Sequence, residues 1–252
     1  VHGASPADLG AQIAERPCAV YQRAYGRRDK SMDSMAAAKT ADTSTDWAAD
    51  TEQRLLDAAL PLAADLGWSP ALVSRAGREI GLSLGETELL LPHGARDLAA
   101  LLSRRHDRLA MEALEGIDPK SLKIRERIAR GIAARVSAAM ADEAALRRWC
   151  GFLALPTNLP LAIRLVWESA DGLWRWAGDV ATDENHYSKR AILSGILIST
   201  LAVRLNSGPE AEAEHIAASI DKVMAFEKWK AGIHPAEQAR QFAEALGRMR
   251  YR

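Results

Sequence analysis

The chain of 252 residues reads as an all-α protein. Three observations predict that class. From Thr51 onward apolar residues recur three and four apart, as in Leu55, Ala59, Leu62 and Leu66 or Ile124, Ile128, Ile132 and Val136. Helix starts and stops are written into the junctions, Ser69-Pro70 and Ser83 as starts, Gly67 and Gly81 as stops. Nowhere do apolar and polar residues alternate over a strand's length with β-branched enrichment. The expected architecture is about nine or ten helices, a small head first and a larger ligand-binding body second.

Residues 1–47 lack sustained helical periodicity and are expected to be a disordered extension or a misplaced start, with Met32 or Met35 as the true one. Arg16, Arg23, Arg27 and Arg28 suit a mitochondrial transit peptide, but Asp8, Glu15 and Asp29 count against one. A head over 48–95 follows, with three short helices: one ending at Gly67, one opened by Ser69-Pro70 and closed by Gly81, and one from Leu84 to Leu91. Three short helices joined by tight glycine turns resemble a helix-turn-helix head, and the order of residues is similar to the N-terminal module of TetR-type repressors. In such heads the third helix enters the major groove. Here that helix offers Glu86 and Glu88 and no base, and Thr51–Ala95 holds six acids (Glu52, Asp57, Asp65, Glu79, Glu86, Glu88) against three bases (Arg54, Arg75, Arg78). Phosphate neutralisation dominates DNA affinity, so this head is read as degenerate.

The body, 96–232, opens with a helix from Arg96 to Leu114, Leu98, Leu101, Leu102 and Leu109 inward and Arg104, Arg105 and Arg108 outward. Gly116 to Pro119 breaks it. A helix from Ser121 to Ala139 carries the isoleucine stripe on one face and arginines on the others, and Asp142 starts another through Trp149 and Leu153.

The stretch from Leu155 to Leu205 organises the rest. Pro156, Asn158 and Pro160 open a helix whose stripe is Ala162, Val166, Ala170, Leu173 and Ala177; a polar knot, Asp179 to Asn185, joins it to a second helix running from about Asn185 to Leu205. That second helix is uncharged between Arg190 and Arg204, too short a run for a bilayer span, which takes about 20 apolar residues. Its small residues favour close packing.

The pattern L-P-x-N-x-P, D-x-x-W, A-G-D, T-D-x-N-x-Y and R-A falls on Leu155, Pro156, Asn158, Pro160, Asp171, Trp174, Ala177, Gly178, Asp179, Thr182, Asp183, Asn185, Tyr187, Arg190 and Ala191. It resembles the ubiquinone-biosynthesis accessory family of lipid-binding proteins with a TetR-repressor-like fold. The likeness runs from roughly Thr51 to Gly232, and more loosely into the terminal helix. His186 stands where eukaryotic members tend to carry tryptophan. The resemblance implies an isoprenoid quinone precursor as ligand and the demethoxyubiquinone hydroxylase as partner. It implies cytoplasmic placement, peripheral on the inner membrane in a bacterium or on the matrix side of a mitochondrion.

The remaining signals exclude more than they assign. Thirty-three bases balance thirty-three acids, which gives no global case for nucleic acid. Cys18 and Cys150 make neither a disulfide framework nor a metal spacing, and no apolar signal segment stands out. Asp183-x-x-His186 and Glu212-x-x-His215 suit a di-iron bundle, but the glutamates such a site takes from two further helices are not evident. No nucleophile motif, phosphate loop or dinucleotide fingerprint is present.

The expected function is therefore a non-enzymatic lipid carrier without cofactor or metal. A TetR-type regulator with a hydrophobic ligand and a di-iron helical enzyme are the alternatives. Leu165, Ser194, Gly195, Ile198 and Ala202 are the expected lipid pocket. Asp171, Leu173, Trp174, His186, Tyr187 and Arg190 are the expected partner face; Asp179, Asp183 and Asn185 are expected to fix the knot through side-chain to backbone bonds, and Asn158 completes the structural motif as a cap of the first helix. Over 233–252, Phe242, Leu246 and Met249 form an apolar stripe beside Arg248, the pattern of an amphipathic helix on an anionic membrane. A homodimer is compatible with all of this.

Overall fold

The computed structural model describes residues 35–179 and 184–232. No strand occurs among them. The helices are α1 (Met35–Leu66), α2 (Pro70–Glu79), α3 (Leu84–Leu90), α4 (Ala95–Leu114), α5 (Ile124–Met140), α6 (Glu143–Leu153), α7 (Leu159–Trp176) and α8 (Glu184–Gly232). Short 3₁₀ turns, Pro119–Ser121 and Pro156–Asn158, precede α5 and α7.

Local chemistry sets the head. The Ser69 side chain accepts from the Leu72 N–H, with Pro70 in the first turn of α2. Ser83 and Glu86 exchange hydrogen bonds as a capping box at α3. Helices α2 and α3 approach closely at Gly77, where an added Cβ would lie 2.5 Å from Thr87 Oγ1. Helix α1 begins at Met35, well before the apolar stripe does. Met35-Ala-Ala-Ala-Lys39 is strong helix-former sequence, so propensity favours helix there without an apolar stripe.

Two cores follow. Leu55, Leu72, Leu98, Leu102, Leu146 and Leu165 join the head to the body, and Ile132, Val136, Leu173, Leu193, Ile216 and Ile220 fill the body itself. Two buried tryptophans tie helices across the first core: Trp68 Nε1 donates to Ala145 O and Trp149 Nε1 to Ala99 O.

The arginine faces depart from expectation. Arg105 is buried, with Nη2 2.7 Å from an Asp57 carboxylate oxygen and a hydrogen bond from Nε to Gln53. Arg135 is buried as well, donating to Asp107 and Ser103, while Ser169 donates to the same Asp107 oxygen. Periodicity fixes the angle at which a side chain leaves its helix but not which neighbour covers that angle, and an Arg stem buries readily once its head is paired. Ile124, expected inward, is 44% exposed in the first turn of α5.

Helix α8 is a hairpin. Gly208 has φ 86 and ψ −175, and Pro209 follows. Arg204 Nη1 lies 2.9 Å from Glu212 Oε2, and His215 Nε2 lies 2.9 Å from Ser199 Oγ. Sixteen residues of straight helix would hold Ser199 and His215 about 24 Å apart, so the chain folds back at Gly208. By length and composition alone the segment His186–Ala225 is apolar enough to cross a membrane, contrary to the count made between Arg190 and Arg204. Only 22% of its most apolar window is buried, so much of that face is open to the surroundings.

Candidate functional site

The end of α7 and the start of α8 meet in an ion-pair cluster. Arg190, 2% exposed, donates from Nε to Asp171 Oδ1 and from Nη1 to Asp179 Oδ2 at 3.1 Å and to His186 O at 3.1 Å. Lys189 Nζ reaches Asp179 Oδ1 at 2.6 Å and stands 5.3 Å over the Trp174 ring. Trp174 Nε1 donates to Lys189 O. Arg175 pairs with the second oxygen of Asp171. Burial works to raise the Asp179 carboxyl, but the hydrogen bonds and charges of Lys189 and Arg190 together outweigh it and hold it below the usual carboxylate range.

Beside this cluster α5, α7 and both arms of α8 enclose a half-open cleft of about 370 Å³. Its apolar wall is Ile128, Ile192, Leu193, Ile196, Ile220, Val223 and Met224; Trp174, Lys189, Arg125 and Arg127 stand around it. A second hollow of about 520 Å³ lies between the head and the α6–α7 junction, against Trp68, Leu91, Arg96 and Asn158. Its wall is structural: Asn158, 3% exposed, accepts from Arg96 Nε and donates from Nδ2 to Phe152 O. Asn158 thus clamps the junction, and its side chain does not cap α7.

The expected lipid pocket is not assembled. Leu165 is packed in the head-body core at 1% exposure, Ser194 is buried against α7, and Gly195, Ile198 and Ala202 lie on the exposed face of α8. The cleft uses the neighbouring face of the same helix, Ile192 and Ile196. An exposed small residue thins a surface without opening a cavity.

The expected partner face divides in two. Leu173 and Arg190 are interior, and Asp171 is spent on arginines, so these three belong to the core and the knot. Trp174 is half-buried along the cleft. Tyr187 is 64% exposed, its ring 5.2 Å from that of His186 and 6.2 Å from that of Trp167. Asp179 is held by the charged side chains of Lys189 and Arg190. Asp183, the side chain of Asn185, and Phe242, Leu246, Arg248 and Met249 lie outside the described residues.

The sequence reading missed Arg127, Ile192, Ile220 and Met224 on the cleft. A composite wall from three helices leaves no local signal. Among the described residues no three His, Cys, Asp or Glu side chains are grouped to hold a metal; Glu212 is paired with Arg204, and burial raises its carboxyl against that arginine's pull.

Residues 159–227, which span α7, the knot and most of the α8 hairpin, match the COQ9 family model. The mitochondrial ubiquinone biosynthesis protein COQ9-B of Xenopus laevis is 28% identical over 176 residues, covering 64% of this chain and 57% of that protein. The mitochondrial ubiquinone biosynthesis protein COQ9 of Homo sapiens is 24% identical over 168 residues, 64% of this chain and 53% of that protein. The chain thus spans somewhat more than half the length of the curated relatives it matches. Among solved structures, the TetR transcriptional regulator of Nitrosomonas europaea superposes with a TM-score of 0.54 at 16% identity, over 70% of this chain and 97% of that one. By sequence, then, the body of this chain is similar to the COQ9 proteins of ubiquinone biosynthesis, and its fold is TetR-like.

Proposed function

We propose that this protein serves ubiquinone biosynthesis as a non-enzymatic carrier, holding an isoprenoid quinone precursor in the cleft between α5, α7 and α8 and presenting it to the demethoxyubiquinone hydroxylase. The cleft carries this reading. Every residue lining it except Ile124, Arg125, Arg127 and Ile128 falls within the COQ9-like segment, and seven of the lining side chains are branched aliphatic. Each buried methylene contributes about 0.8 kcal/mol, so a five-carbon isoprene unit contributes roughly 4 kcal/mol before ordering costs. The hydroxylase docks at the knot end, where Tyr187 and His186 offer an exposed aromatic edge close to the cleft. A second copy of the chain covers the apolar stripe nearer the head, where Leu159, Ile163 and Ile198 are exposed.

A repressor reading finds less support. Helix α3 exposes Leu84 and Leu89 beside Glu86 and Glu88, a surface with no positive charge to meet phosphate.

Extraction and mass spectrometry of the purified full chain tests the proposal. An isoprenoid species with an aromatic head is expected, and it should be absent from Ile192→Glu and Ile196→Glu proteins that melt as the wild type does. Tyr187→Ala should keep the lipid and lose the hydroxylase in a pull-down. Protein free of any isoprenoid, from cells whose ubiquinone content is unchanged when the gene is deleted, overturns the reading.

A further inference from the structure

Helix α3 is packed along one edge only. Within it Thr87 alone is buried, and Leu84 and Leu89 are 65% and 78% exposed. At about 100° per residue, Leu84, Glu88, Gly85 and Leu89 follow one another around an arc of about 140°. The two leucines therefore flank a carboxylate and a glycine on one outward face. In front of Gly85 an added Cβ would meet nothing within 4 Å, so another backbone can approach closely between the leucines. Leu84 and Glu88 also form one lip of the second hollow, about 520 Å³, which Trp68, Leu91 and Phe152 line as well.

Charge decides what this face can receive. Hydrogen bonds from the Ser83 hydroxyl and N–H hold the Glu86 carboxyl below the usual carboxylate range, so it stays ionised. Neither Glu86 nor Glu88 meets a cation among the described residues. Across the hollow, Arg96 is turned to Asn158 Oδ1 and Thr157 O, and on α2 Arg75 pairs with Glu79. Two neighbouring carboxylates repel an anionic bilayer and a nucleic-acid backbone alike. They attract a cationic surface, while the exposed leucines are covered only by an apolar one. We infer that α3 and the adjoining lip of the hollow dock a basic amphipathic helix of a partner protein. Its apolar side chains lie over Leu84 and Leu89, and its Lys or Arg side chains reach Glu88 between them and Glu86 beyond. The face is separate from the cleft and from the knot, so the inference does not rest on the carrier reading.

The probe is a short amphipathic model helix of leucine and lysine, with its leucine and glutamate counterpart as control, titrated calorimetrically into the full chain at physiological salt. Wild type should bind the lysine peptide on the order of 10-fold or more tighter than the glutamate peptide. The double variant Leu84→Gln, Leu89→Gln should melt as the wild type does and bind the lysine peptide on the order of 10-fold or more weakly. Glu88→Lys should weaken it as well and narrow the gap between the two peptides. A lysine peptide that does not bind, that binds no better than the glutamate peptide, or that binds both variants as tightly as wild type overturns the inference. Sedimentation tests the other occupants. A wild-type dimer abolished by the leucine pair makes the face an interface between copies, and anionic vesicles bound by wild type but not by that pair make it a bilayer surface; either result overturns the inference. If the leucine pair melts lower, Glu88→Lys decides, since the Glu88 side chain is exposed and packs against no core.

Discussion

His106 is wholly buried on α4, and neither ring nitrogen completes a hydrogen bond, although Nε2 lies 3.5 Å from Asp142 Oδ2. Burial pushes its pKa from 6.5 down to about 4, with Asp142 and Asp107 pulling the other way and Arg135 adding to the fall. The unfolded chain thus takes up this proton near pH 6.5 and the folded chain only near 4, so acid favours unfolding. Stability from this group is complete above pH 6.5 and drains as pH falls towards 4, by about 3 kcal/mol in total. Urea midpoints at pH 7 and 4.5 should show the loss, and His106→Leu should flatten it. Arg190 gives a second prediction at this scale. Arg190→Ala strands Asp171 and Asp179 and should cost about 3 kcal/mol or more, seen as a lower urea midpoint, where a surface docking residue would leave the midpoint unchanged. The sequence reading put Asp171 and Arg190 on a partner face and Asp179 in the knot. It could not show that Arg190 faces inward, because a charged residue reads as exposed until its partners are placed.

At the scale of elements the sequence was most legible where capping chemistry is explicit. The starts of α2 and α3 at Ser69-Pro70 and Ser83 stand close to their expected positions. The start of α1 and the return of α8 did not show, the first because propensity without a stripe leaves little pattern, the second because a turn signal carries no direction. The pair Gly208-Pro209 makes the return. At φ 86 and ψ −175 Gly208 occupies backbone space that is essentially closed to residues with a Cβ, so Gly208→Ala should cost about 1–3 kcal/mol. The same substitution should weaken lipid binding more than the stability loss explains, since Ile220, Val223 and Met224 reach the cleft only from the returning arm. Chemical denaturation and a lipid titration on one preparation separate the two effects.

For the molecule as a whole, fold and function part company. A TetR-like fold is present, yet the helix that would read DNA carries exposed leucines and acids. Mobility-shift titration with the DNA flanking its gene should show binding no tighter than to random duplex at physiological salt. The all-α class and the head-then-body order were plain in the sequence, because both rest on local periodicity. The cleft was not, because it exists only where three distant helices meet. The membrane proposal rests on Phe242, Leu246, Met249 and Arg248, beyond the described residues. Deleting Pro235 to Arg252 should leave a folded, lipid-competent body that no longer sediments with anionic liposomes. The return at Gly208 bears on that experiment as a matter of tethering. Met224 borders the cleft and Gly232 is eight residues farther along the helix, about 12 Å, so whatever follows Gly232 is tethered to the cleft by a short length of helix. A short leash makes the local concentration of its cargo millimolar, whatever the concentration of the protein. If the terminal segment grips a bilayer, the opening is carried to the lipid surface with it, and loading becomes a first-order event within one assembly instead of a search through water.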